Sequence, residues 1–193
     1  MKVSREQMQA NRRRILDAAG EKFREKGFDA VSVAEVMKAA GLTHGGFYGH
    51  FLSKDDLIAQ TLSHLATESA QARAPNLDAF VDAYLSPRHR DDLQRGCPTA
   101  ALATESRHQS PEGRAAMSDG VLSQIERLTA ALPAGSSDER RREAIGLWAS
   151  MVGAVILARA VEDEALSDEI LGATRSWIGQ LNAGSTDQVA TVD

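Results

Sequence analysis

Between Ser32 and Lys54 the chain starts a helix, stops it on a glycine, and starts two more in quick succession. Ser32-Val33-Ala34-Glu35 is a capping box, in which the hydroxyl accepts a first-turn N–H and the carboxylate reaches back to the cap. Apolar Val36, Met37 and Ala40 follow, and Gly41 ends the helix where a residue without Cβ takes the left-handed conformation. Thr43 can then cap a very short helix through His44, Phe47 and Tyr48. Ser53 caps the next, with Asp55 and Asp56 in the first turn, where the helix dipole favours carboxylates. Val33, Val36, Met37, Ala40, Leu42 and Phe47 are spaced to pack the first two helices together, leaving Thr43, His44, Tyr48, His50 and Lys54 outward. Helix, tight turn, short helix is the helix-turn-helix arrangement, whose second helix enters the major groove. Spacing alone leaves a plain helical hairpin equally open.

The flanking sequence reads as helix throughout. Ser4 with Gln7 opens a first helix, Ile15, Ala18, Ala19 and Phe23 recur on one face, and Gly27 stops it. The helix capped by Ser53 runs through Leu57, Ile58, Leu62 and Leu65 toward residue 70, and Ala74-Pro75-Asn76 breaks it. Further helices are predicted from Asn76 to Leu85, from Pro98 to His108, and from Ser110-Pro111-Glu112 to about Leu132. One more begins near Ser136 or Ser137 and becomes apolar on nearly every face. The last carries Leu166, Ile170, Thr174, Trp177, Ile178 and Leu181 along one stripe. The expectation is an all-α chain of about nine helices. Residues 1–56 form a three-helix helix-turn-helix domain, residues 57–183 a helical sensing and dimerisation domain, and residues 184–193 a flexible tail.

Charge supports this division. The total is −5, yet residues 1–58 carry +2 and the remainder −7. A DNA-binding protein needs a basic face rather than a basic total, because phosphate neutralisation acts within a Debye length of about 10 Å. A single cysteine, Cys97, excludes an internal disulfide framework and fits a reducing cytoplasm. The basic, polar start shows no signal peptide. The charge-free stretch from Ala144 to Ala158 falls short of the ~18 residues that argue for a membrane span. It is expected to be a buried helix, in a chain that meets no membrane.

The outward residues suit a duplex. Hydroxyls of Thr and Tyr, His donors and a Lys bond phosphate oxygens or base edges, and glycines let the backbone approach closely. Gly45 and Gly46 each weaken a short helix by about 1 kcal/mol relative to Ala, a penalty that makes sense where a side chain would collide with the duplex.

The residues Gly27-Phe28-Asp29-Ala30-Val31-Ser32-Val33, then Ala39-Ala40-Gly41-Leu42-Thr43, then Phe47-Tyr48-Gly49-His50-Phe51-Leu52-Ser53-Lys54 resemble the signature of the tetracycline-repressor (TetR) family. The resemblance runs from Asn11 to about Leu65, within a TetR-type region of about 8–68. It implies that Ser32 caps the bracing helix and touches phosphate, and that Thr43 and His44 begin the recognition helix. Gly45 and Gly46 match positions that approach base edges, Tyr48 and His50 the phosphate-binding aromatic and histidine, and Lys54 a lysine holding the DNA backbone. Arg12 and Arg13 match the start of the first helix where it nears DNA. Gly46 and Gly49 stand where members often carry a polar residue and an aromatic, which leaves more of the recognition to DNA shape.

The resemblance further implies a homodimer built from the last two helices and a ligand-released repressor on a palindromic operator of double-stranded DNA. A helix apolar all round independently needs burial on two sides. Trp148, Val152, Val155, Ile156, Ile170 and Trp177 are the expected interface residues, and Phe80, Tyr84, Leu102, Met117 and Trp148 the candidates for lining a pocket for a small-molecule effector. Cys97, in Gly96-Cys97-Pro98, stands at a helix N-terminus that can lower a thiol's pKa, which makes it a candidate redox sensor beside the plainer reading of an inert cysteine. An enzyme is the main rival class, and a helical ligand-binding or interaction module without DNA binding is the other. No phosphate loop, nucleophile elbow or dinucleotide fingerprint appears. The five histidines form no HExxH or Cys/His pairing, so neither metal nor cofactor is expected.

Overall fold

The structure, a computed structural model, describes residues 4–71, 76–133 and 135–187. Helix α1, Arg5–Lys26, begins where the Gln7 amide donates to Ser4 Oγ at 3.1 Å, and ends at Gly27 with φ 82°. Helix α2, Val33–Ala39, starts at Ser32, whose Oγ accepts from the Glu35 amide at 3.2 Å. Gly41, at φ 67°, makes the turn into a 3-10 helix, His44–Gly49. Helix α3, Lys54–Gln71, is capped twice over: the Asp56 amide donates to Ser53 Oγ, while the Asp56 carboxylate accepts from the Leu52 amide.

Helix α4, Leu77–Tyr84, follows an Asn76 cap. Helix α5, Pro87–Asp91, is a single turn absent from the sequence expectation. Its Ser86-Pro87 start repeats the chemistry of Ser110-Pro111, with Ser86 Oγ accepting the His89 amide. Helices α6, Pro98–Ser106, and α7, Pro111–Ala131, come next. Helix α8, Ser137–Ala160, opens on a complete capping box between Ser136 and Glu139, and α9 spans Glu164–Asp187. The last helix thus runs through residues 184–187 of the expected tail, while residues 188–193 lie outside the described residues. Every element among the described residues is helical, as expected for an all-α fold.

Packing divides the chain into two compact units. The first comprises Met1–Gln71 and Leu93–Val121. Ile15, Ala19, Phe23, Phe28, Val31, Val36, Met37, Phe47, Phe51 and Leu57 make its core, joined by Leu102 from α6. Burying an Ile, Leu or Phe side chain stabilises by about 1.5–3 kcal/mol each, so this core is a main hold on the helix-turn-helix. Phe23 and Phe28 meet edge to face at 5.3 Å across the Gly27 turn. The Phe28 amide donates to Glu105 Oε2 at 2.8 Å, and Arg24 Nε donates to the Gln94 carbonyl at 2.6 Å, so α6 and the loop before it clasp the end of α1.

The second unit comprises Ala72–Asp92 and Leu122–Asp193, with α8 packed along α9. Ala144, Leu147, Trp148, Met151, Ala154, Val155 and Ala158 form the buried side of α8. The Arg90 guanidinium holds Ser167 Oγ and Asp168 at 2.9 and 2.7 Å, while Arg159 donates to the carbonyls of His89 and Arg90. Short α5 is therefore pinned to the α8–α9 corner. By length and composition α8 would suffice to cross a membrane, and 39% of its most apolar window is buried. The rest of its surface is exposed or half-buried within the single chain.

Candidate functional site

The 3-10 helix and its flanks carry nearly every residue singled out for DNA contact. Thr43, His44, Gly45, Gly46, Tyr48 and Gly49 are exposed, and of the helix's own residues only Phe47 is buried. That burial fixes the rest. Phe47 stacks on Phe51 at 5.7 Å and meets Tyr48 edge-on at 5.2 Å, so the anchored ring orients a Tyr48 side chain left 72% exposed. The element is a 3-10 helix, where sequence spacing had suggested only a short helix. Thr43 stands at its N-cap with extended backbone, but its hydroxyl makes no capping bond, contrary to the expected role.

None of the glycines in this helix has a positive φ. A Cβ at Gly45 or Gly49 would meet nothing within 4 Å, and one at Gly46 would make only ordinary contact with Met37 at 3.7 Å. The fold of the chain itself therefore gives no reason for glycine here. Gly41 is different: at φ 67° a Cβ would also come within 2.7 Å of Arg14 Nη2.

The basic residues divide by role. The Arg12 guanidinium donates to the His50 carbonyl and lies over the Phe51 ring at 4.6 Å, so it braces the segment beneath the recognition element. Arg13 and Arg14 are exposed, and Arg13 reaches Glu68 at 3.7 Å. Lys54 approaches the Asp29 carbonyl at 3.5 Å and is half-buried, and Ser32 is exposed. Burial, aided by the Arg12 charge, lowers the His50 pKa and so favours a neutral imidazole that offers a hydrogen bond rather than a charge. Glu35, on the bracing helix, is held below the usual carboxylate range by its hydrogen bond to Lys26, at 2.7 Å.

The sensing candidates fall into two groups. Leu102 is fully buried in the core of the first unit, with Met117 packed against it. Phe80, Tyr84 and Trp148 lie in the second unit, where Tyr84 meets Phe80 at 5.8 Å, Trp148 at 5.3 Å and the His89 ring at 4.4 Å. His89 belongs to the same cluster and went unnoticed in the sequence, because its helix was not recognised. Its Nδ1–H donates to the Tyr84 carbonyl at 2.7 Å. Trp148 Nε1 is buried and finds no hydrogen-bond partner among the described residues. Cys97 is half-buried at the N-cap of α6.

Of the residues expected at a dimer interface, Trp148 and Val155 point into the chain's own core, at 7% and 0% exposure. Val152 and Ile170 are half-buried, while Ile156 and Trp177 are exposed. The exposed apolar face of α8 and α9 also includes Ile145, Leu157, Leu166 and Leu181, which sequence periodicity could not separate from core.

Comparison with known proteins places this geometry. Residues 15–61 match the family of bacterial regulatory proteins described as the tetR family, and residues 74–174 match the tetracyclin repressor-like C-terminal domain. A helix-turn-helix-type transcriptional regulator of Mycobacterium tuberculosis is 27% identical over 170 residues, 81% of this chain and 88% of the relative. The regulator UidR of Escherichia coli is 33% identical over 106 residues, 52% of this chain and 54% of its own. A crystal structure of a TetR transcriptional regulator from Chloroflexus aurantiacus superposes with a TM-score of 0.70 at 26% identity, covering 91% of this chain and 97% of that one. All three are named as transcription regulators.

Proposed function

Because the chain belongs to the TetR family of helix-turn-helix transcriptional regulators, we propose that it is a cytoplasmic repressor, binding a palindromic operator as a homodimer and releasing it when a small molecule binds. The observation that carries this reading is the 3-10 helix His44–Gly49, which buries Phe47 and leaves its polar and glycine positions exposed. In this reading residues 1–56 do the DNA binding. Thr43, His44, Gly45 and Gly46 meet base edges, while Arg13, Ser32, Tyr48, His50 and Lys54 hold phosphates on either side. Arg12 acts through the His50 carbonyl and the Phe51 ring that it supports. Residues 57–183 sense and pair.

Pairing is supported by the apolar outer face of α8 and α9. A two-fold dimer presents two recognition helices about one DNA turn apart, ~34 Å, and so calls for a palindrome. Phe80, Tyr84 and Trp148, with the unpartnered indole N–H, support an effector site in the second unit. An effector releases DNA if it prefers a conformation in which the two recognition helices no longer match the operator. Leu102 and Met117 serve the core of the first unit in this scheme. Cys97 offers a second input, because α6, which it caps, also clasps α1 through Glu105. Diamide or N-ethylmaleimide then weakens operator binding, and a Cys97→Ser chain that responds like the native one removes the thiol from the mechanism.

A gel shift with the promoter region of the chain's own gene tests the whole proposal. The expected result is a discrete complex with two protomers per operator and an affinity that falls steeply with salt. Salt-insensitive binding, or none on any palindrome selected from random DNA, would overturn it.

A further inference from the structure

Asp17 on α1 and His64 and Glu68 on α3 bring three potential ligand atoms within 4.8 Å of one another, all inside the first unit. His64 and Glu68 are four residues apart on one helix and so share a face, and Asp17 reaches them from the neighbouring helix. His64 Nε2 lies 2.7 Å from Asp17 Oδ1 and 3.5 Å from Glu68 Oε1. One ring nitrogen carries a single proton, which serves the nearer carboxylate and leaves the farther one at the outer limit of a hydrogen bond. A cation bonded to all three explains the arrangement differently. With bonds of ~2.1 Å, ligand atoms stand ~3.0 Å apart in octahedral and ~3.4 Å apart in tetrahedral coordination. The two observed separations span those edges within a few tenths of an ångström.

We propose that Asp17, His64 and Glu68 form a divalent-metal site that staples α1 to α3. One imidazole with two carboxylates suits zinc or a neighbouring transition metal rather than magnesium or calcium, which take oxygen ligands, and water completes the shell. The imidazole is the fixed member, with its side chain 17% exposed, while Asp17 and Glu68 are 47% and 44% exposed and can close on a cation. Arg13 also holds Glu68, at 3.7 Å, with its side chain 71% exposed, so metal binding draws Glu68 away and releases an arginine near the DNA-facing end of α1. The site escapes a search of sequence spacing because Asp17 lies 47 residues before His64.

The test uses the full chain stripped with EDTA and titrated with zinc chloride, followed by calorimetry and thermal melting. The expected result is one zinc per chain and a Tm raised by roughly 5–10 °C at a hundredfold excess over Kd. Asp17→Asn and His64→Gln should each lower the affinity about a hundredfold or more, since losing a ligand outweighs the 10–100-fold cost of losing an outer-shell partner. Circular dichroism of the metal-free variants checks that they fold, and Asp17→Asn keeps a hydrogen bond to the imidazole. The other four histidines are intact in both variants. A native chain that binds no zinc, or variants that bind it as tightly as the native chain, would overturn the site. Magnesium or calcium matching zinc would overturn the role given to His64.

Discussion

At the scale of single residues, Gly41 and the glycines of the 3-10 helix answer to different demands of the fold. Gly41 takes a left-handed φ that would strain any side chain, whereas Gly45 has no such constraint and open space around it. Alanine at 45 should therefore leave the free protein as stable as before, or more stable by up to about 1 kcal/mol, because glycine is the poorer helix former. If the backbone there approaches base edges, the same methyl should weaken operator binding tenfold or more. Urea unfolding and a gel shift on one preparation make the comparison, and undiminished affinity in Gly45→Ala would remove the close approach. His89 supplies a residue-scale prediction of another kind. Burial lowers its pKa, although its bond to the Tyr84 carbonyl opposes this. The unfolded chain then takes up the proton first as pH falls below 6.5. The folded state loses stability from there down to the folded pKa, at no more than about 1.4 kcal/mol per pH unit. His89→Asn should flatten that part of the profile relative to the native chain, and two parallel denaturation profiles between pH 7 and 5 would contradict it.

At the scale of elements, the local grammar of helix ends was largely readable. Ser4, Ser32, Ser53, Asn76, Ser110 and Ser136 all accept the first-turn amides their positions suggest, because a cap is a contact between near neighbours in sequence. What could not be read depends on partners far along the chain. The hold of Arg12 on the His50 carbonyl and the Phe51 ring leaves no local signal, and Glu105 gave no sign that it would receive the Phe28 amide 77 residues away. The 3-10 form of His44–Gly49 was hidden as well, since Phe47 anchors so short a segment by burial rather than by periodicity. The Glu105 bond is open to measurement. Glu105→Ala should cost about 1–3 kcal/mol by stranding an amide, whereas Glu105→Gln, which keeps an acceptor, should cost less. The urea midpoints report both, provided the m-value is unchanged. Equal midpoints for native and Ala chains would show that α6 does not hold α1 through this bond.

At the scale of the whole molecule, the two longest faces of the second unit make opposite demands. The inner side of α8, with Trp148, Met151 and Val155, is satisfied within one chain, and its outer side is not. Leu157 is 57% and Trp177 49% exposed, and among the described residues nothing beyond the helix's own backbone lies within 4 Å of a Cβ position at Gly146, Gly153, Gly172 or Gly179. An apolar face with open glycine positions allows helices of a second copy to approach closely, and a stable pair would cover about 800 Å² on each. The two sides can be separated by mutation. Met151→Ala leaves a cavity and should cost about 2–5 kcal/mol while the surviving folded protein still pairs. Leu157→Glu should leave each chain folded, because the side chain has solvent to reach, but should bury a charge wherever two copies meet. Light scattering should then find a monomer with native circular dichroism. That monomer should bind a single half-site about as the native chain does, yet lose tenfold or more on the full palindrome, since the second half-site no longer benefits from high effective concentration. A Leu157→Glu chain that stays dimeric would place the partner on another face, and one that is monomeric but keeps full operator affinity would mean that pairing contributes nothing to recognition.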